Sequence, residues 1–495
     1  MSAGTASAGR TAGWGVLAAA CVSTLVVNAN TSAVTILLPA ISKDVGTSVD
    51  TLQWAVTGYS LVGAAVIVTS GALGDVFGRR LFFIAGLVLF VASCVLIALS
   101  TNGTGVIGGR MIQGAAGATI LACGMSLLSV ESSGAAQMKA ITMWGAASAA
   151  GAAAGPLVGG VLVELTGWQG LFWIDAAIAA LCIPLTLLTV RESRDVNRSR
   201  SIDFAGTVLI AAILVPLLLA FSEGSNWGWT SFAVIGCFVI SALSVVAFVL
   251  VEQRVTAPLV DLSLLRNAVL VGATLSILIV AGAINALMYV LSLYFQDPAG
   301  FGYSALVTGL ATLPAAAVMI AITPFITPIA MRVGSLRAVA IGFLLTTAAF
   351  AILVFVTDSW TYAAFVGPLV LMAIGLGLAN GPASSASTSS VSADQVGQAS
   401  GISNMARYIG GSLVVAIIAT IYNNAITNHL NAGESRSQAL AAGVSRSAFA
   451  LAVISFLGVV LARLLRRHRA TAPRSVDLAQ AAAVTTHTIP IPEAT

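Results

Sequence analysis

Apolar residues run along this chain in fourteen long stretches, separated by short polar turns such as Ser100 to Gly105 and Thr357 to Ser359. Each stretch is about twenty residues, enough for a helix to cross roughly 30 Å of hydrocarbon. The expected spans begin with 14 to 38, 52 to 73, 81 to 100, 105 to 128, 139 to 163 and 170 to 190. Two more, 204 to 222 and 231 to 251, precede a second set of six that runs from 268 to 464 and closes with 402 to 424 and 445 to 464. Arg10 followed by the apolar run from Trp14 has the look of a secretory signal. The run continues past Asn28 and Asn30 to Pro39, too long for such a segment. The pattern predicts an all-α polytopic membrane protein with 14 transmembrane helices.

Composition removes the soluble alternative. Apolar types supply 58% of the 495 residues and charged types 8%, where a soluble surface needs about a quarter charged. Mean hydropathy is +0.99. The five cysteines, Cys21, Cys94, Cys123, Cys182 and Cys237, are scattered through apolar stretches and read as packing thiols. His429, His468 and His487 lie in a polar loop and the tail. No metal centre, cofactor site or histidine base is expected within the membrane, so an enzyme is not indicated. The net charge of +4 is small, and no basic patch interleaved with aromatics suggests a nucleic acid.

The basic residues set the expected orientation, because Lys and Arg near short loops stay in the cytoplasm. Eighteen of the 22 fall on the side of the two termini, Arg79, Arg80, Arg191 and Arg407 among them. Lys43, Arg436 and Arg446 fall on the other side, and Arg110 lies inside a span. Both termini and the loop from Arg191 to Asp203 are therefore expected in the cytoplasm of a multi-pass inner-membrane protein. The loop from Asn423 to Arg446 is expected outside.

Three strings carry mechanism. After the second span, Gly71-Ala-Leu-Gly-Asp75-Val-Phe-Gly78-Arg79-Arg80 makes a glycine-broken turn. It places Asp75 beside two arginines, where a charge-assisted pair with a neighbouring helix can lock one arrangement of the bundle. In the fourth span stands Gly109-Arg110-Met-Ile-Gln113-Gly114, and an intramembrane charge must face a cavity or a partner. In the fifth, Gly151-Ala-Ala-Ala-Gly155-Pro156-Leu-Val-Gly159-Gly160 combines tight packing with a helix break.

These strings resemble motifs A, B and C of the major facilitator superfamily, the last being the pattern of its antiporters. Fourteen spans point to its drug:proton antiporter branch, which carries two extra helices between six-helix halves. Gly397-Gln-Ala-Ser-Gly401 is similar to that branch as well. The resemblance implies a 6+2+6 arrangement: a cytoplasmic segment 1–13, an N-terminal bundle 14–190, two extra helices with flanking loops 191–267, a C-terminal bundle 268–466 and a disordered tail 467–495. It implies export of small, partly apolar compounds by alternating access in exchange for protons, by a protein that functions as a monomer in the lipid bilayer. Asp75, Gly78, Arg79 and Arg80 would be the cytoplasmic gate. A weaker echo, Ala330-Met-Arg332-Val-Gly334-Ser-Leu-Arg337, lacks the aspartate.

Two departures bear on coupling. The branch usually carries D-x-T-x-x-N-x-A-L-P in its first span, and here Asn30, Ser32 and Thr35 stand at the three polar places before Pro39. In the sixth span, where F-x-x-N-x-P is usual, this chain reads Phe172-Trp-Ile-Asp175-Ala-Ala177. Asn30 cannot carry a proton. Asp175 either sits in the outer headgroups or joins Asn30, Arg110 and Gln113 as a cavity and coupling candidate. An uncoupled facilitator, a dedicated exporter of an endogenous metabolite or lipid, and a non-transporting receptor remain as alternatives.

Overall fold

The computed structural model describes residues 13–131, 134–194, 203–255, 261–391 and 396–471. The chain opens with α1 (Trp14–Val45), a single turn α2 (Val49–Leu52), α3 (Trp54–Phe77), α4 (Arg79–Ala98), α5 (Gly103–Glu131), α6 (Gly134–Thr166) and α7 (Gln169–Thr189). α8 (Phe204–Trp227) and α9 (Phe232–Glu252) follow. The rest is α10 (Ala268–Gln296), α11 (Ala305–Val333), α12 (Ser335–Leu353), α13 (Tyr362–Ser389), α14 (Val396–Asn431) and α15 (Arg436–Thr471). By length and composition thirteen of these can cross a membrane, and α6, taken as one bent span, makes fourteen. The expected N-terminal segment and tail fall largely on residues 1–12 and 472–495, outside the described residues.

Each expected stretch lies on one of the long helices, which run past the apolar limits at several ends. The expected outer loop from Asn423 to Arg446 is the clearest difference: α14 continues to Asn431 and α15 starts at Arg436. Ala439, Leu440 and Ala441 are buried, so packing holds the first turns of α15 helical although their sequence is too polar for a membrane window.

α1 to α7 pack as one group and α10 to α15 as another, with α8 beside α3 and α14 and α9 packed on α8. Gly15 meets Thr189, Leu465 meets Gly272, and Val68 of α3 meets Gly401 of α14. The start of α1 and the end of α15 thus share one end of the bundle, the terminal end. The opposite end is the far end. α9 lies outermost, with Phe232, Ile235, Val239, Ile240, Leu243 and Val246 exposed as a lipid-facing helix requires.

The glycine string of α6 explains how α1 is seated. Side chains at Gly151 and Gly155 would run into the carbonyl oxygens of Leu25 and Ala29, and a Cβ at Gly159 would stand 2.9 Å from that of Ala33. Only glycine permits so close an approach of the two backbones. Gly160 and Pro156 turn to the other group: a Cβ at Gly160 would meet Ala305 O at 2.7 Å, and one at Gly309 of α11 would meet Pro156 O at 2.6 Å. α6 bends by 45° between Met143–Ala152 and Ala154–Thr166. Pro156 has no N–H for the carbonyl of Ala152, which is where the bend falls.

Candidate functional site

Gly78 forms the turn between α3 and α4 with φ 134°, a conformation that disfavours any side chain. A Cβ there would also stand 2.7 Å from the carboxyl carbon of Glu192. The turn carries Asp75 back toward Arg79, whose Nε and Nη2 both lie 2.8 Å from Asp75 Oδ1. Glu192, just beyond α7, accepts from the backbone N–H groups of Arg80 at 3.1 Å and Leu81 at 3.2 Å. It thereby caps an α4 start that has no side-chain cap of its own. Arg80 Nη2 donates to Leu187 O at 3.0 Å, and Arg79 N to Ser193 O at 3.0 Å. The expected gate residues are thus brought together and fastened to the end of α7. The sequence reading missed Glu192, an acid in an otherwise basic stretch. Gly334, in the echo motif, repeats the device with φ 90° and its N–H donated to Ala330 O at 2.8 Å.

A second cluster lies inside the first group of helices. α1 presents Asn30, α5 presents Arg110 and Gln113, and α7 presents Asp175; Asp175 is 4% exposed and the other three 0%. Asn30 Nδ2 donates to Asp175 Oδ2 at 2.6 Å, and Arg110 Nη1 donates to Asn30 Oδ1 at 2.5 Å. Arg110 also donates to Gln113 Oε1 and, through Nε, to Ala55 O at 3.0 Å. Its guanidinium lies 4.2 Å from the ring centre of Tyr59, a cation–π contact on α3. Gln113 Nε2 completes the set with a contact to Cys94 Sγ at 3.0 Å. Asp175 is thus enclosed by α1 and α5 and not open to the surface of the bundle.

The amide of Asn30 is the connector. Its oxygen faces the cation and its nitrogen faces the carboxylate, the one orientation that satisfies both. Charge on Asp175 is thereby linked to Arg110 through a neutral side chain. Arg110 Nη2 is buried without a hydrogen-bond partner. The sequence reading grouped these four residues as candidates without their bonds to one another and missed Tyr59 and Cys94, since an aromatic and a thiol in apolar stretches give no signal.

Arg407 was counted with the cytoplasmic charges although it falls within the expected span 402 to 424. By length and composition the candidate span on α14 is Gly401–Asn431, and Arg407 lies six residues along it. It donates to Asn404 Oδ1 at 3.3 Å and Asn380 Oδ1 at 3.5 Å.

The two groups of helices are joined at the far end. Ser292 Oγ donates to Thr35 O at 3.0 Å, Gln296 Nε2 to Ile36 O at 3.1 Å, and Asn423 Nδ2 to Asp50 Oδ1 at 2.7 Å. Ser304 Oγ donates to Glu164 Oε1 at 2.5 Å. Within the second group, Asp297, just past α10, accepts from Arg436 Nη2 of α15 at 2.6 Å. Burial works against its charge, but Arg436 and the Ala299 N–H outweigh this and hold the carboxyl below the usual carboxylate range. Beside this seam a recess of about 430 Å³ opens among Asp50, Gln296, Tyr422, Asn423 and Arg436.

A helical bundle of two groups, with glycine-seated helices, an ion-paired turn at one end and a charged network walled inside, defines a polytopic membrane transporter. The chain belongs to the Major Facilitator Superfamily, whose family model matches residues 20–415. It is 29% identical to the tetracenomycin C resistance and export protein of Streptomyces glaucescens, over 82% of this chain and 76% of that one. It is 29% identical to the puromycin resistance protein pur8 of Streptomyces alboniger, over 90% and 89%. It is 30% identical to the cephamycin export protein CmcT of Amycolatopsis lactamdurans, over 82% and 84%.

Proposed function

We propose that this chain exports small, partly apolar compounds by alternating access, in exchange for protons. The observation that carries the reading is the bond between Asn30 and Asp175 at 2.6 Å, which seats a carboxylate inside the bundle and links it to Arg110. Asp175 takes up and releases the proton. Its charge strengthens or weakens the hold of α7 on α1 and α5, and so biases the two arrangements of the bundle. The relatives, whose names concern tetracenomycin C, puromycin and cephamycin, support export of compounds of that size. The halves 14–190 and 268–466 rock about the seam of α6 with α11 and of α3 with α14, while α8 and α9 ride between them. The far end, closed here, faces outside, and the terminal end opens inward. A single copy suffices, because both halves lie in one chain.

The test uses inverted vesicles with an acidified interior and a fluorescent pH reporter. Puromycin, a tetracenomycin and a cephamycin are added in turn. At least one is expected to discharge the gradient when the protein is present. Uptake of any of them that ignores the gradient would favour an uncoupled facilitator or a dedicated exporter of an endogenous metabolite or lipid instead.

Orientation has its own check. On a cysteine-free background, a probe cysteine at Ser435 should react with an impermeant maleimide added outside intact cells. One at Ser199, which lies outside the described residues, should be spared. The reverse labelling would overturn the placement of both ends.

A further inference from the structure

Arg407 stands deep in the bundle, and its partners do not neutralise it. At 1.5 Å per residue it is about 9 Å inside the crossing part of α14. The next residue, Tyr408, fixes its level: the ring lies 6.2 Å from that of Tyr59, and a Cβ on Gly63 would stand 2.7 Å from its Cε1. These contacts fall at the sixth and tenth of the 24 residues of α3, so the guanidinium emerges inside the bundle, away from both ends of that helix.

Its two hydrogen bonds go to neutral amides at 3.3 and 3.5 Å, the long edge of the range. No carboxylate among the described residues forms an ion pair with it. Asp175 is held by Asn30, beside Arg110. Two arginines and one aspartate are therefore the charged groups in the middle of the described bundle, a surplus of one positive charge. A bare cation at that depth costs several kcal/mol unless it faces water or an anion. Arg407 is partly exposed, as are Asn404, Asn380 and Ser384. A guanidinium is not held open toward lipid, so the open side faces the space between the two groups of helices.

We infer that Arg407, flanked by Asn380 and Asn404, is the anchor for an anionic oxygen of the transported compound, a carboxylate or an acidic phenolate on an apolar ring system. The planar fork of arginine suits a carboxylate, and the two amides leave N–H groups to hold the same oxygens. The inference deepens the export reading by naming the substrate's charge, and its test needs no transport.

Full-length protein in nanodiscs is examined by equilibrium binding, without any gradient, with 2-naphthoate and with 2-naphthamide, which match in size and differ in charge. The wild type should hold the acid on the order of tenfold more tightly than the amide, about what one desolvated charge contact contributes. Arg407→Gln should lower naphthoate binding to the level of naphthamide and leave naphthamide binding as it was. Arg407→Lys should keep the preference at reduced strength, and it decides the matter if the glutamine variant does not fold. Equal binding of acid and amide by the wild type, no binding of either, or a preference that survives Arg407→Gln would each overturn the inference, as would a stable Arg407→Lys variant without preference. An intact preference in a protein that exports nothing would remove the export reading and leave this site standing.

Discussion

Asp175→Asn stops gradient-driven export, and Asn30→Asp added to it brings export back: that is the expected result of exchanging the two partners of the buried pair. Asn30 and Asp175 sit 2.6 Å apart, so one carboxylate and one amide share a single position between α1 and α7. Removing the carboxylate leaves Arg110 a fully buried cation with only neutral partners. Breaking a buried charge arrangement in this way costs on the order of 3–5 kcal/mol. The single variant should therefore lose both coupling and thermal stability. In the double variant the acid stands on α1, adjacent to Arg110 Nη1, and an amide again completes the pair. The charged and titratable groups around it, Arg110 on α5, Cys94 on α4, Tyr59 on α3 and Tyr408 on α14, are unchanged. Export and stability are measured together in vesicles of matched protein content. A double variant as inactive as Asp175→Asn would show that the acid must stand on α7. Unaltered gradient-dependent export by Asp175→Asn would remove the residue from the mechanism.

The second large effect is expected at the turn of Gly78. Asp75→Asn or Arg79→Ala should reduce export to background while leaving the protein in the membrane. The bond between Asp75 and Arg79, 2.8 Å long and partly shielded, fixes the geometry in which Glu192 caps α4. Without it, the joint between α3, α4 and the end of α7 loses a contact that the arrangement closed at the far end makes, and the bundle is biased away from that state. Cysteine accessibility at Asn423 is the direct readout, and it should rise in both variants. Wild-type export by both would reduce the string to an ordinary turn.

What the sequence made legible was whatever depends on runs and local strings. Fourteen apolar stretches became fourteen long helices, and the glycines of α6 proved to seat α1. The pairing of Asn30 with Asp175 was not legible, because the two are 145 positions apart and no local rule brings them together. Arg407 falls inside the expected span 402 to 424 and was still counted with the loop charges, because a long side chain near a span end ordinarily reaches back to the headgroups. Periodicity offered no correction. In a membrane bundle the lipid face and the packed face are both apolar, so Phe232 on the lipid side of α9 reads like Phe172 in the core. Tyr59 and Cys94 were invisible for the same reason.

The seam at the far end has a bearing on how that end answers to the solution around it. Across it, hydroxyls and amides donate to backbone carbonyls or to the single carboxylates of Asp50 and Glu164. Those to carbonyls contribute roughly 0.5–1.5 kcal/mol each and those to the two carboxylates about 1.5–3 kcal/mol, and with a neutral donor on each, mobile ions do little to them. The turn at the terminal end is built from full charges, whose attraction weakens within about 10 Å of screening at 0.1 M salt. The two faces of the transporter thus respond to different properties of the water they meet. Changing ionic strength at the far end should leave the opening of that end nearly untouched, while the same change at the terminal end shifts how often that end closes.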